Sequence, residues 1–297
     1  MAFRRRCGAV GAVVAGLAVA TTVPSRAVDH FELEVYDGTA NRPGAPGLEL
    51  HLNGWLTGHR TATPPVRPLH DQAHATLEPS FGVAPWWEVG AYLQMAVRAD
   101  DGVVDWAGVK ARSKFVVPPN WDAHWRLGAN FELAYVPSAY EADGWSVELR
   151  PIAAWHDPRW LFVANPIVGF ALDGAGGASF EPAVKAARTI GPVAVGLEYY
   201  GDLGRLGNFD PVRQQEHYIF EALDVLDVGQ FELNAAIGEG LTAASAGMVV
   251  KAIVGYEWDS VASPARSPSS RELEACREAR PASTPWVKAA STGPRIR

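Results

Sequence analysis

The chain has 297 residues, 48% of them hydrophobic and 10% aromatic, and its 33 acidic residues outweigh 26 basic ones for a formal charge of −7. That balance argues against nucleic acid as a partner, because phosphate binding needs a basic surface. Two cysteines, Cys7 and Cys276, exclude a disulfide scaffold, and past the leader no segment has the run of about 20 apolar residues that a membrane helix needs.

The first residues, Met1-Ala2-Phe3-Arg4-Arg5-Arg6, are followed by an apolar stretch from Cys7 to Ala20 and by Ser25-Arg26-Ala27. A basic head, a short apolar middle and small residues before the cut predict a secretory signal peptide over residues 1–27, cleaved after Ala27. Cys7 stands at the start of the apolar run, where it cannot serve as a lipidation site. Residues 28–46 alternate briefly (Phe31, Leu33, Val35) and then become turn-rich. A thirteenth strand would put the two ends of a barrel on opposite sides, so this stretch is expected to be a periplasmic or lumen-entering segment.

Residues 47–258 carry strict period-two alternation, the signature of strands with one apolar and one polar face. Leu48, Leu50 and Leu52 oppose Glu49, His51 and Asn53; Ala75, Leu77 and Phe81 oppose His74, Thr76, Glu78 and Ser80. Trp87 to Val97 on one face oppose Glu88, Tyr92, Gln94 and Arg98; Val109, Ala111 and Phe115 oppose Lys110, Arg112 and Lys114. Trp125 to Tyr135 oppose Arg126, Asn130 and Glu132; Trp145, Val147 and Leu149 oppose Ser146, Glu148 and Arg150. Further segments centre on Phe162, Val184, Val195, Phe220 and Leu233, and the last runs from Met248 to Trp258. Strands of nine or more residues exceed the 5 to 6 usual in soluble sheets and suit a tilted membrane strand of about 9 to 11. The expectation is an all-β, antiparallel up-and-down transmembrane β-barrel of about 12 strands in the outer membrane of a Gram-negative cell, with outer-membrane lipid around it.

Connections at Val83-Pro85, Pro118-Asn120, His156-Pro158, Gly191-Pro192 and Asp227-Gly229 are read as tight and periplasmic, and the intervening ones as long loops, chiefly Thr57 to Gln72 and Gly201 to Gln215. Trp86, Trp87, Trp121, Trp125, Trp155, Trp160 and Trp258 fall beside the tight turns and Trp55, Trp106 and Trp145 beside the long loops, as interface girdles require. Pro79, Pro151, Pro166 and Pro182 sit inside strands on the apolar face, where each deletes a ladder donor, so bulges are expected there. Residues 259–297, rich in Ser, Pro and Arg, read as a disordered tail.

If the apolar face meets lipid, the lumen is lined by Lys110, Arg112, Lys114, Arg126, Glu132, Glu148, Arg150 and Glu181. The row Lys110, Arg112, Lys114 is the candidate for steering an anion, with a salt-bridged filling as the alternative. Ser80 with His74 or His51 can be imagined as a nucleophile and base, with no third group to orient them. His59, His70, Asp71 and His74 carry metal-compatible donors, but loop histidines are usually only solvated, and no metal, cofactor or catalytic residue is assigned. The expected function is passive passage of small solutes. A closed or loop-displaying barrel and a barrel lipid or ester hydrolase are the alternatives.

At the end of the barrel, Gly255-Tyr256-Glu257-Trp258 resembles the aromatic-x-aromatic terminal strand read by the outer-membrane assembly machinery, which would make Tyr256 and Trp258 the assembly signal. From Ala75 to Leu203, Thr-Leu-Glu-Pro-Ser-Phe-Gly-Val, Trp-Trp-Glu-Val-Gly-Ala-Tyr-Leu, Gly-Val-Lys-Ala-Arg-Ser-Lys-Phe and Val-Gly-Leu-Glu-Tyr-Tyr-Gly resemble the transporter-type outer-membrane barrels grouped around the MetA pathway of phenol degradation. That resemblance implies the fold, the location and a role in moving small hydrophobic or aromatic compounds.

Overall fold

A computed structural model describes residues 28–98, 102–118, 121–173, 177–226 and 228–260. The signal-peptide reading and all of the tail beyond residue 260 lie outside the described residues. The chain divides into two units, residues 1–260 and 261–297, and only the first contains described residues.

Twelve antiparallel strands form one closed barrel: β1 (Pro46–Trp55), β2 (Gln72–Ala84), β3 (Trp87–Arg98), β4 (Val104–Val116), β5 (Trp125–Tyr135), β6 (Trp145–His156), β7 (Trp160–Ala171), β8 (Ala178–Ile190), β9 (Val193–Asp202), β10 (Glu216–Val225), β11 (Phe231–Gly240) and β12 (Met248–Glu257). Each strand pairs with the next, and β1 closes on β12 from Gly47↔Glu257 to Trp55↔Val249. The surface is inverted relative to a soluble protein. Leu52, Leu93, Phe131, Leu133, Phe162, Val184, Leu197 and Ile237 are exposed, whereas Glu78, Glu88, Gln94, Asn130 and Arg150 are buried inside. Alternation with apolar side chains outward and ionic ones inward is stable only where the surroundings are less polar than the interior, so the barrel is a transmembrane one. No helix among the described residues is long and apolar enough to cross a membrane.

The connections at one end have two residues (β2–β3 and β8–β9), three (β6–β7), five (β10–β11) and eight (β4–β5). At the other end they have 16 (β1–β2), 13 (β9–β10), nine (β5–β6), seven (β11–β12), six (β7–β8) and five (β3–β4). We call these the turn end and the loop end. The β4–β5 connection is a correction to the sequence reading, being longer than three of those at the loop end. Its entry into β5 is shaped by Asp122, whose carboxylate accepts the backbone N–H of His124 at 2.7 Å and of Trp125 at 3.0 Å. Asp157 does the same for Arg159 and Trp160, both at 2.7 Å. These donors hold both carboxyls below the ordinary 3.8. Between β8 and β9, Gly191 takes a left-handed φ of 61° ahead of Pro192, which a two-residue hairpin turn needs at its first position.

The expected bulges at the prolines are not formed. Pro79 pairs with Leu48, Pro151 with Ala129 and Pro166 directly with Pro182, all without a shift of register. The missing donors are absorbed instead by interruptions, as between β6 and β7, where pairing lapses from Leu149↔Val168 to Ala153↔Ala164 around Pro151 and Pro166. Register shifts occur at Gly82/Ala84 and at Gln94/Met95. At the second, Ala107 and Gly108 both turn inward and Gly108 takes a φ of 144°, so a glycine rather than a proline makes the irregularity.

Candidate functional site: a lumen occupied by residues 28–45

Residues 28–45 run inside the barrel. Phe31, Glu32, Leu33, Val35, Tyr36 and Ala45 are buried, and the segment descends from the loop end to the turn end, where it leads into β1. It belongs to no strand, so its backbone groups find partners on the wall's side chains. His30 C=O accepts from Asn53 at 3.2 Å, Phe31 C=O from Thr76 at 3.1 Å and Leu33 C=O from Lys251 at 2.8 Å. Asn165 brackets Tyr36 like a sheet neighbour, accepting its N–H at 2.8 Å and donating to its C=O at 3.0 Å.

Period two governs the segment as it does the strands. Leu33 and Val35 enter an apolar cluster with Trp55, Ile167, Ala183, Tyr200, Tyr218 and Phe220. Glu32 and Tyr36 meet the ionic wall. Lys110 Nζ lies 2.9 Å from Glu32 and 3.1 Å from Glu132 and also pairs with Asp29. Arg150 is 3.3 Å from Glu32 and 2.8 Å from Glu148, with its guanidinium 4.4 Å from the centroid of the Tyr36 ring. Tyr36 donates its hydroxyl proton to Glu32 at 2.9 Å and therefore accepts from Tyr92 at 2.5 Å. Nearer the turn end, Arg126 holds Asp37 at 2.6 Å, Glu88 accepts the N–H of Asn41 at 2.5 Å, and Gly44 N–H reaches Gly82 C=O at 2.7 Å. Gly82 has no room for a side chain, since a Cβ there would run into the carbonyl oxygens of Asn41 and Arg42.

All eight predicted lumen residues point inward, and the partners found for them redefine their role. Arg112 pairs with Glu78 at 2.5 Å and Glu88 at 2.6 Å, and Lys114 with Glu88 at 2.9 Å. Lys110, Arg112 and Lys114 are thus each neutralised by carboxylates and do not form a free anion ladder. Glu181 accepts from Ser179 at 2.5 Å. A second ionic group on the opposite wall escaped the sequence reading: Glu198 lies 2.5 Å from Lys251 and 3.1 Å from Lys185, which reaches Asp224 at 2.8 Å. Also missed were Glu32, Glu34 and Tyr36; their alternation with Leu33 and Val35 was the available signal.

Below Tyr36 the lumen opens into a cavity of about 670 Å³ at the turn end. Its lining carries seven acidic residues, including Asp37, Glu49, Asp224 and Glu232, against three basic ones, Arg42, Lys114 and Lys185. Above, beside Val28, Asp29 and Arg150, a void of about 20 Å³ remains, room for roughly one water.

Among the described residues, Ser80 is not brought together with His74 or with His51, which pairs across from Thr76 and turns its Nε2 to Glu78. His74 and Ser80 lie six residues apart on β2, about 20 Å at the strand rise, and Ser80 accepts from Asn41 at 2.8 Å. The metal-compatible loop residues do not converge: His59 contacts Ala244 C=O, His70 contacts Asp71, and His74 lies inside against Trp55 and His30. Outside, Trp86, Trp121, Trp125, Trp160 and Trp258 are exposed near the turn end, Trp87 and Trp155 are half-buried there, and Trp106 and Trp145 are exposed near the loop end, whereas Trp55, expected in the loop-side girdle, faces inward and is fully buried against Tyr218 and His74. The Tyr256 ring stands edge-on to Phe231 and Trp258 at 4.8 Å each.

No protein-family model matches the chain, and no curated protein matches it. Among solved structures, the chain is similar to the COG4313 outer membrane channel from Pseudomonas putida F1 (13% identity, 76% of this chain and 100% of that one, TM-score 0.49). It is also similar to the KdgM porin (9% identity, 71% and 98%, TM-score 0.48) and to the translocator domain of the autotransporter NalP from Neisseria meningitidis (10% identity, 74% and 90%, TM-score 0.39).

Proposed function

We propose that this protein is an outer-membrane channel for small solutes, gated by its own residues 28–45. The observation that carries this reading is the filling of the lumen. The inner segment is fixed to the ionic wall through polar contacts that water can replace, and beneath it lies an open vestibule of about 670 Å³ rather than packed side chains. The vestibule's acidic excess favours cations and neutral solutes over anions. Within that range the solutes are small organic compounds, aromatic ones included, as the resemblance to phenol-pathway barrels implies. The outward-facing tryptophans anchor the two interfaces, and Tyr256 with Trp258 presents the terminal strand to the assembly machinery.

The test is single-channel recording in a planar bilayer, comparing the intact protein with one lacking residues 28–45. The intact protein should give rare or small steps and the deletion variant large persistent ones, with a reversal potential on the cation side. A deletion variant that folds, as judged by a gel shift on boiling, and still passes no current would overturn gating. The tight loop-end packing favours a second reading in that case, a closed barrel whose loops at 57–72 and 201–215 are the working surface.

A further inference from the structure

One group of donors in the lumen is not accounted for by its ion pairs. Glu34 of the inner segment, Glu49 and His51 of β1 and Glu78 of β2 place one ligand atom each within 4.8 Å of one another. From His51 Nε2 the carboxylate oxygens lie at 3.0 Å (Glu78), 3.6 Å (Glu49) and 3.9 Å (Glu34). Four ligands at the 2.0 to 2.2 Å bond lengths of a tetrahedral zinc ion sit about 3.4 Å from each other, so the set already has nearly the spacing of a coordination shell.

The chemistry of the donors agrees with the spacing. His51 is 1% exposed, and its Nδ1 has no partner, so the ring's polar contacts all run through Nε2 into the three carboxylates. Glu78 keeps its other oxygen on Arg112 at 2.5 Å, the kind of outer contact that orients a ligating carboxylate. Among the described residues, neither Glu34 nor Glu49 has an ion pair with a lysine or arginine, although both line the vestibule from which an ion could enter. Three carboxylates around one imidazole leave a charge deficit that a divalent cation fills, and the mix of one nitrogen with oxygens selects a borderline first-row ion over calcium or magnesium.

We infer that Glu34, Glu49, His51 and Glu78 form a binding site for a divalent transition-metal ion, with zinc the ion of best fit. Because Glu34 belongs to the inner segment and the other three to the wall, the bound ion latches the segment in place. The site depends on where residues 28–45 lie and not on whether the barrel conducts.

The experiment is calorimetric titration of ZnCl2 into the refolded full chain in detergent, in a non-chelating buffer, with conductance recorded in parallel. Wild type should bind one ion. Glu34→Gln and His51→Gln should each weaken binding by at least about tenfold, while the loop variant His59→Ala/His70→Ala binds as wild type. If the barrel conducts, zinc should close it and a chelator reopen it in wild type but not in Glu34→Gln. Absence of zinc binding by a wild-type barrel that shifts on boiling, or equal binding by wild type and a Glu34→Gln barrel that shifts likewise, overturns the site. Zinc binding by a barrel that never conducts upholds the site and removes only the gating reading.

Discussion

The loop-end and turn-end halves of the lumen are made from the same twelve strands and are filled in opposite ways. Toward the loops, Phe31 stacks on His74 with ring centroids 4.2 Å apart, and Trp55, Tyr218, Phe220 and Val249 are fully buried around the inner segment. Toward the turns, the same segment crosses an acid-rich cavity of about 670 Å³ and touches the wall at isolated points such as Asp37–Arg126 and Asn41–Glu88. The contrast locates the barrier. From the turn end the cavity reaches as far as Tyr36, where Lys110, Arg150, Glu32 and Tyr92 close the lumen with charge and hydrogen bonds. On the proposed channel reading, regulation of passage would fall on these few residues at mid-height and not on the mouth.

The comparison can be broken outright by removing residues 28–45, which should abolish the difference between the halves and give the largest change in conductance. Next in size is Arg150→Met. It leaves Glu148 without its arginine and Glu32 with Lys110 as its one remaining ion-pair partner beside the Tyr36 hydroxyl, and uncompensating a buried ion pair costs about 3 to 5 kcal/mol. Urea unfolding of the refolded barrel would show it as a lowered midpoint. Gly82→Ala presses a methyl group on the segment where it enters β1, an overpacking of about 1 to 3 kcal/mol, and should raise open probability as well as lower stability. Trp160→Ala removes a ring stacked on Phe162 at 5.7 Å outside the lumen, about 1 kcal/mol, and should leave conductance alone. The smallest effect is a pH dependence. Asp122 and Asp157 have folded-state values depressed below 3.8, so their contribution is present above the unfolded value and is lost as pH falls through the folded one. Asp122→Asn with Asp157→Asn should flatten the decline of the unfolding midpoint below about pH 4.

Much of this was legible because a membrane barrel imposes one simple period. Leu52 out and His51 in, or Phe131 out and Glu132 in, follow from alternation alone. The prolines show the limit of local reasoning. Pro166 faces Pro182 across a strand pair, so the two missing N–H donors fall at the same rung of the ladder, and the register passes through it without a bulge. The inner segment was visible as Phe31, Leu33 and Val35, but the same period serves a strand in the wall and a strand-like chain inside it. Its partners could not be read either. Tyr36 is 129 residues from Asn165, and Lys251 is 218 from Leu33, separations at which only the closed barrel brings side chains together.

Closure itself carries a consequence for assembly. β1 and β12 are the first and last strands, so their pairing forms the longest loop in the chain and bears the greatest entropy cost of any in the wall. The inner segment is attached to one lip of that seam through β1 and reaches the other through Lys251 on Leu33 and Glu257 on Arg42. It stitches both lips from within. Seating the segment and sealing the wall therefore draw on the same contacts, and a change that loosens one loosens the other.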